Sequence, residues 1–582
     1  MMSDKLDPVT LEVIRNAFPA IANEMAADLQ RTSYNMMIYE VRDFCTAIVK
    51  PNGELVSQNV GGVSHFVADL GVIITDGFEK IGNEEGFQPG DVIITNHQKV
   101  AGQHLNNIVI YTPFFYKGVL QFFSMVRAHW IDVGGMSTGF GGGADVSDPW
   151  MEGLQLDQLK IYEAGERNET LYKVIRDNIR FPESSLGDMR SQIAACLLAT
   201  RRLEELFDKF GVDTILTGLD HIFEESEQKC RNVVETIPDG VYEAESSLND
   251  DGIDIGNPVR IHAKVTVSGS DMEIDLSGCS DERKAAVNSR TFAGARVAYK
   301  ALMAPLEPVN EGSFRALEVV IPEGNIMMAQ FPAPMCMWST VVPTVVDTII
   351  KALAPGMEAN VPAGHFGLLG GPVVFTGTNP KTNRRFIVQS IEGGGWGGRP
   401  HEDGESATVS VCQGDVRNAT IEGIELKCPV MIESRELRTD SGGPGKYRGG
   451  FGMKTTVRNF VDGNWICEPP KRGDRSPAWG LWGGKEGAVG GYRMQKPGES
   501  DFTPLQTARH SVSADTRVTV RTGGGGGWGD PLERDAKLVE LDVSQGLVSV
   551  AGAADNYGVV IGAEDMKLDK AATDALRAEM RK

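Results

Sequence analysis

The sequence predicts a multidomain α+β protein of mixed helices and sheets, closing in a β-rich, Gly-rich C-terminal domain. Three observations predict it. Apolar residues recur at helical spacing near the N-terminus and again over residues 187–236. Short apolar runs broken by turn signals fill residues 44–120. Glycine and short strand-like runs dominate residues 408–562. The chain has 582 residues, which corresponds to about three to four domains. Its 41% hydrophobic and 23% charged content supports large cores and argues against disorder, despite 68 glycines.

Residues 7–35 form a predicted helix. Asp7-Pro8 supplies an N-cap and a proline at the first helical position, and Leu11, Ile14, Phe18, Ile21 and Met25 repeat at helical spacing. Pro19 interrupts that pattern and predicts a kink or a break into two helices. Strands follow at Phe44–Val49, Val92–Thr95, Ile108–Tyr111 and Leu120–Val126, separated by turns such as Pro51-Asn52-Gly53 and Pro89-Gly90-Asp91. Helix returns over 187–236, with Leu197, Leu203, Leu206 and Phe207 as apolar contacts and Arg201-Arg202 solvated. Ile237-Pro238-Asp239-Gly240 marks a boundary, followed by alternating strands Val259–Val267 and Met272–Leu276. Residues 286–304 are helical again. The expected domains are 1–236 (α+β), 237–407 (α+β), 408–562 (β-rich and Gly-rich) and a polar tail or helix, 563–582.

Charge excludes some partners. The formal net charge is −22, from 57 basic and 79 acidic residues. A phosphate backbone or an anionic membrane surface needs a basic face, so neither nucleic acid nor membrane is an expected partner. The eight cysteines are scattered, with no C-x-x-C pair, so neither a disulfide framework nor a zinc ribbon is expected. Free thiols fit a reducing compartment, and a cytoplasmic location is expected. The N-terminus shows no signal-peptide pattern, and no 18-residue apolar run suggests a membrane span.

Of nine histidines, His65, His104 and His129 stand in suggestive company. His104 follows strand Val92–Thr95 by a loop, His129 ends the run Leu120–Val126, and Asp43 precedes strand Phe44–Val49. Strand ends converge when neighbouring strands pair. Two imidazoles and a carboxylate would suit Zn or Mn with positions open for water or substrate, and such a metal would polarise a carbonyl or generate hydroxide. Asp43, His104 and His129 are therefore the candidate ligands. Glu40 and His65 are candidate proton relays. Alternatively, Asp43 pairs with Arg42, and Asp132 caps the Gly134-Gly135 turn.

The glycine clusters are not nucleotide loops. G-x-G-x-x-G spacing occurs at Gly393, Gly395 and Gly398 and at Gly524, Gly526 and Gly529, but Arg399-Pro400 and Asp530-Pro531 follow instead of helices. No Walker A motif is present; Pro444-Gly445-Lys446-Tyr447 lacks both the first Gly and the hydroxyl residue. Tight turns in a β-rich domain are the expectation. The single G-x-S-x-G, Gly135 to Gly139, runs into Phe140-Gly141-Gly142-Gly143 rather than the helix an elbow requires, and is treated as a chance match.

Several segments resemble the hydantoinase B/oxoprolinase family. They are Asp7–Ile14, Glu40-x-Arg42-Asp43-Phe44, Gly187–Ala195, Asn310-Glu311-Gly312, Pro322-Glu323-Gly324, Glu436–Gly450 and the glycine run ending Gly529-Asp530-Pro531. The resemblance spans Asp7 to Pro531, and Glu436–Gly450 is its most specific piece. It implies a B-type subunit of a hetero-oligomer. An A-type partner with an actin-like ATPase fold would bind ATP and Mg and phosphorylate the carbonyl of a small substrate. Two departures from the family pattern fall at the candidate site. Asn107 stands where the pattern N-D-P-x-x-G-G-T-H-x-P-D carries its last Asp, and Trp130 stands where R-A-H-H-x-D-x-G-G carries its second His. An amide is a poorer ligand than a carboxylate and leaves the site more positive, so the resemblance implies Asn107 and Asp132 only as second-tier positions.

The leading expectation is ATP-dependent hydrolysis of a small cyclic amide (hydantoin, oxoproline or lactam). The alternative is a ketone carboxylase of the acetone or acetophenone type using bicarbonate, for which Trp130 and the altered loop suggest a larger, less polar substrate. A second alternative is a non-catalytic scaffold whose metal site has decayed, with Asn107 as its first trace.

Overall fold

The computed structural model describes residues 6–82, 86–139, 146–357, 360–367, 371–467, 475–505 and 508–582. The run Phe140–Gly143 lies outside the described residues. The fold is α+β, with four sheets among the described residues.

The N-terminal sheet is antiparallel throughout. Its strands are β1 (Phe44–Val49), β2 (Leu55–Gln58), β3 (Val92–Thr95), β4 (Asn107–Tyr116), β5 (Val119–His129), β6 (Leu159–Glu163) and β7 (Glu166–Arg167), in spatial order β2-β1-β5-β4-β3-β6-β7. Its helices are α1 (Pro8–Thr32), α2 (Met36–Tyr39), α3 (Ser64–Val67), α4 (Leu70–Gly77), α5 (Glu169–Asn178), α6 (Pro182–Phe210) and α7 (Val212–Val234). One sheet face packs on α1 and α6 through Phe18, Leu29, Ile108, Val126, Trp130 and Phe207. The other face joins the large central core through Cys45, Val109, Met125 and Trp338.

α1 runs unbroken through Pro19, so the expected division into two helices does not occur. An internal proline costs about 3 kcal/mol, and burying Ile14, Phe18, Ile21, Met25 and Leu29 on one face more than offsets it. The 187–236 helix is in fact two, divided at Gly211, whose φ of 79° is easy only for glycine. Leu197, expected as an apolar contact, is 38% exposed.

A second sheet, β8 (Gly240–Leu248), β9 (Val259–Ser268), β10 (Asp271–Asp275) and β11 (Leu317–Val320), packs against α9 (Val342–Met357), on which α8 (Ala293–Met303) lies in turn. Trp338–Met357 is long and apolar enough to cross a membrane by length and composition, but its most apolar stretch is 83% buried inside the molecule. It is the core helix of this unit.

The remaining strands are β12 (Gly371–Asn379), β13 (Arg384–Glu392), β14 (Val430–Leu437), β15 (Met453–Asn459), β16 (Gly463–Cys467), β17 (Gly491–Gln495), β18 (Thr503–Pro504), β19 (Ala508–Val512) and β20 (Arg517–Arg521). They form two sheets, β13-β12-β16-β19 and β14-β15-β20-β17-β18. The first takes strands from both sides of residue 407. Helices α10 (Ile421–Lys427), α11 (Ala536–Ser544), α12 (Val550–Tyr557) and α13 (Lys570–Met580) complete the chain.

The glycine clusters do not serve the tight turns expected of them. Gly523–Gly527 is an extended, non-strand segment threaded through other glycine-rich segments and bonded to them laterally. Gly395 N donates to Gly523 O (3.0 Å), Gly443 N to Gly525 O (2.7 Å), Gly525 N to Gly450 O (3.0 Å) and Gly526 N to Gly364 O (2.8 Å). A Cβ added at Gly524, Gly525, Gly526 or Gly527 would lie 1.7–2.0 Å from a neighbouring carbonyl oxygen. The glycines are there because backbones pack directly on backbones.

Candidate active site

Strand register builds the site. Asn107 on β4 is paired with His129 on β5, and Phe44 on β1 with Ala128. One residue further, His129 N donates to Asp43 O (3.1 Å). Asp43, His129 and Asn107 therefore form one row across three adjacent strands. Side chains alternate along a strand, so all three face the central core while Ala128 and Trp130 face α1 and α6. At Arg42 the φ of 64° is unusual for a side-chain-bearing residue. There the chain turns so that Arg42 reaches out to Asp415 (2.5 Å) and Asp43 turns in. The expected alternative, an Asp43–Arg42 pair, does not form.

His104, in the loop before β4, comes back over this row. Its ring lies edge-on to His129, centroids 4.9 Å apart. His104 Nε2 bonds Asn107 Oδ1 (2.9 Å), and Trp338 Nε1 donates to His104 Nδ1 (3.2 Å). Asn107 Nδ2 donates in turn to Gln103 Oε1 (2.8 Å), and Gln103 Nε2 to Asp69 Oδ2 (3.3 Å) and His65 O (3.2 Å). This chain of bonds fixes both the His104 tautomer, with the proton on Nε2, and the orientation of the Asn107 amide. Gln389, on β13, places its Nε2 3.1 Å from His129 Nε2. His129 Nδ1 then faces Asp43 Oδ2 at 3.7 Å, longer than a hydrogen bond and within reach of one on a small closure.

Burial sets the charges. Asp43, His104 and His129 are all buried. Desolvation raises the Asp43 carboxyl to about 7, with the Arg127 guanidinium pulling it back. Desolvation lowers His104 to about 4, and lowers His129 well below the usual imidazole range with help from His104. At neutral pH both imidazoles are neutral and Asp43 is poised to gain or lose a proton. Arg127 lies one row below on the same sheet face, paired with Cys45 and Val109 in register and seated over the Phe66 ring (5.1 Å).

The other expected residues go elsewhere. His65 lies beside Trp338, ring centroids 4.6 Å apart, with Nδ1 2.6 Å from Cys412 O; burial lowers it to about 3. It adjoins the cluster through Trp338. Glu40 turns to Thr420, the N-cap of α10, accepting from its backbone N (3.1 Å), and is not brought to the histidines. Asp132 accepts from Gly134 N (3.3 Å), Arg180 N (2.7 Å) and Arg180 Nη1 (2.9 Å); it caps the glycine turn, the alternative expected for it. Ser137 of the chance G-x-S-x-G takes a bond from Arg509. Gln103, Trp338 and Gln389 carry no signal in the sequence, because amides and a core Trp have no characteristic spacing; Arg127 opens the segment that resembles R-A-H-H-x-D-x-G-G.

The hydantoinase B/oxoprolinase family model matches residues 7–531. The chain belongs to this family. The B-type subunit of a putative D-/L-hydantoinase of Pseudomonas sp. (strain NS671) is 31% identical over 596 residues, covering 98% of each chain. The crystal structure of ATP-dependent caprolactamase from Pseudomonas jessenii matches with a TM-score of 0.89 at 27% identity, covering 99% of this chain and 100% of that one. A nucleotide-free acetone carboxylase structure also reaches a TM-score of 0.89, over 99% of this chain and 83% of that one, at 19% identity. That last likeness is one of fold.

In this member of the hydantoinase B/oxoprolinase family the residues do not fit the expected two-His, one-carboxylate metal. Both ring nitrogens of His104 are engaged, by Asn107 and Trp338. Asn107 offers an amide, already bonded on both sides. Among the described residues, no three His, Cys, Asp or Glu side chains are grouped to hold a metal ion. What the cluster offers instead is proton transfer: a carboxyl titrating near neutrality beside two neutral imidazoles.

Proposed function

We propose that this chain is the B-type subunit of an ATP-dependent heteromeric hydrolase that opens a small cyclic amide. The partner is an A-type subunit with an actin-like ATPase fold, which binds ATP and Mg and phosphorylates the ring carbonyl. The observation that carries the reading is the Asp43–His129–His104 cluster, three proton-transfer groups assembled in one row and its overlying loop. Asp43 takes the proton of a water that adds to the phosphorylated carbon. The ring C–N bond breaks with its nitrogen protonated, and the acyl phosphate left behind loses phosphate to a second water. His129, held between Asp43 and Gln389, orients the carboxylate through its Nδ1, and the proton Asp43 takes from the water goes on to the departing ring nitrogen. The Asn107–Gln103 chain keeps His104 fixed and neutral.

Membership of the family and the subunit naming of the hydantoinase relative support a heteromer. The eight free, buried cysteines support a cytoplasmic location, where thiols stay reduced. The carboxylase reading loses one of its two sequence supports, since Trp130 faces the opposite side of the sheet, donating to Gln192 Oε1 (2.8 Å); the altered loop, which carries His104 and Asn107, stays at the site. The scaffold reading took Asn107 as decay, yet its amide uses both ends in the buried network. The test compares ATP turnover by the chain alone with turnover by the complex co-purified with its partner, in the presence of a cyclic amide. Turnover by the chain alone would overturn the division of labour.

A further inference from the structure

α3 is a single helical turn that serves two sites. His65 and Phe66 lie against Trp338 and Arg127, beside the proton-transfer cluster. Ser64 and Val67 line a separate cavity of about 730 Å³, a volume in the range of small-molecule sites. Apolar side chains dominate its walls, among them Leu55, Val297, Ala301, Phe314, Ile350 and Val411. Gln58, at the end of β2, joins the lining.

The charges around this cavity cancel. Arg296 pairs with Glu311, Arg399 with Glu402 (2.7 Å) and Glu307 with Lys229 (2.7 Å). Lys300 and Asp347 remain, one of each sign. Both are engaged within the protein. Lys300 Nζ donates to the main-chain oxygens of Ala304 and, at 2.8 Å, Glu307. Asp347 accepts from Trp479 Nε1 (2.7 Å) and from His365 N (3.1 Å). The lining therefore calls for no ion. Its open bonding capacity is neutral: the side chains of Gln58 and Ser64 make no hydrogen bond among the described residues. Gln58 Oε1 is shut in without a donor, a state that buried amide oxygens rarely keep. The terminal torsion of a Gln side chain is broad, so a rotation there turns either end of the amide to the cavity.

We propose that this cavity binds a neutral ring amide with an apolar body. A Gln carboxamide presents one acceptor and one donor side by side. A small ring holds its own amide cis, so its N–H and C=O lie on one edge and bond both ends of Gln58 together. An open-chain secondary amide is trans. Its N–H and C=O point to opposite sides, and it makes only one of the two bonds. The ring methylenes lie along Val297, Ala301 and Ile350, where leaving water favours them, and Ser64 Oγ donates to the second lone pair of the carbonyl. Ring amides are the substrates of the amide-hydrolase reading, and calling this ligand the substrate rests on that reading. The cavity then receives the ring before activation, one helical turn from the cluster that opens it.

The test is isothermal titration of the full chain with ε-caprolactam, with N-methyl-ε-caprolactam, which lacks the N–H, and with N-butylacetamide, an open-chain amide of equal carbon number. The expected result is ε-caprolactam binding with a Kd below about 1 mM, insensitive to added salt because the ligand carries no charge. Both analogues should bind about fivefold or more weakly. Gln58→Leu should erase the preference for the ring amide, and Ala301→Trp, which fills the cavity, should abolish binding. Thermal melts check that each variant is folded, and the comparison of the three ligands on the wild-type chain needs no variant. Three results would each overturn the proposal: no binding of ε-caprolactam up to about 10 mM, equal binding of the three amides, or a preference that survives in Gln58→Leu. Binding is read directly, so a complex that binds ε-caprolactam yet turns over no cyclic amide would count against the hydrolase reading and not against the cavity.

Discussion

Asn107 Oδ1 lies 2.9 Å from His104 Nε2, and the same amide donates to Gln103 at 2.8 Å. A carboxylate at position 107 could accept from His104 but could not donate to Gln103. The amide thus closes a hydrogen-bond chain at the point where the family pattern carries an acid. Metal content tests this. The purified wild-type chain is expected to hold no stoichiometric Zn or Mn by elemental analysis. Asn107→Asp supplies a carboxylate beside His104 and His129 and is expected to take up metal. Stoichiometric metal in the wild type would contradict the site as described.

Asp43 links pH to both activity and stability. Its carboxyl acts as base when ionised, so kcat/KM should rise with pH through about 7 and level off above. Asp43→Asn should remove that limb and cut turnover about 10²- to 10⁴-fold. The stability effect has the opposite sign. The folded pKa is raised, so the stability Asp43 contributes is fully present below its unfolded value near 4 and is lost as pH rises through about 7. At pH 8, Asp43→Asn should therefore be more stable than wild type, by up to about 4 kcal/mol in urea unfolding. A variant less stable than wild type at pH 8 would refute the burial argument.

The threaded glycines make a sharp stability prediction. A Cβ at Gly525 would lie 1.9 Å from Trp396 O, whereas one at Gly546 meets nothing within 4 Å. Gly525→Ala should cost more than about 4 kcal/mol or prevent folding. Gly546→Ala, strained only by its φ of 73°, should cost about 1–2 kcal/mol. Similar melting temperatures for the two variants would show that the backbone bundle can relax.

Much of the N-terminal unit was legible because periodicity and turn residues are local signals. Phe44–Val49 and Val92–Thr95 are strands with the expected ends. Asp43, His104 and His129 stand out as strand-end residues, and pairing of those strands brings them together. What completes the cluster was not legible. Gln389 reaches His129 across 260 positions and Trp338 reaches His104 across 234. Nothing local in the sequence marks contacts of that range. Pro19 does not divide α1, because propensity near a proline says nothing of the face buried beneath it. The glycine runs misled because glycine reports freedom of φ and closeness of approach equally, and here closeness decides.

The most direct test of the central claim is ATP turnover by the complex, co-purified with its partner, against hydantoins, lactams, oxoproline, acetone and acetophenone, each with and without bicarbonate. The account predicts turnover with a cyclic amide that needs no bicarbonate, yields the ring-opened acid, and falls sharply in His129→Ala and Asp43→Asn. Turnover that requires both a ketone and bicarbonate and yields a β-keto acid would contradict it.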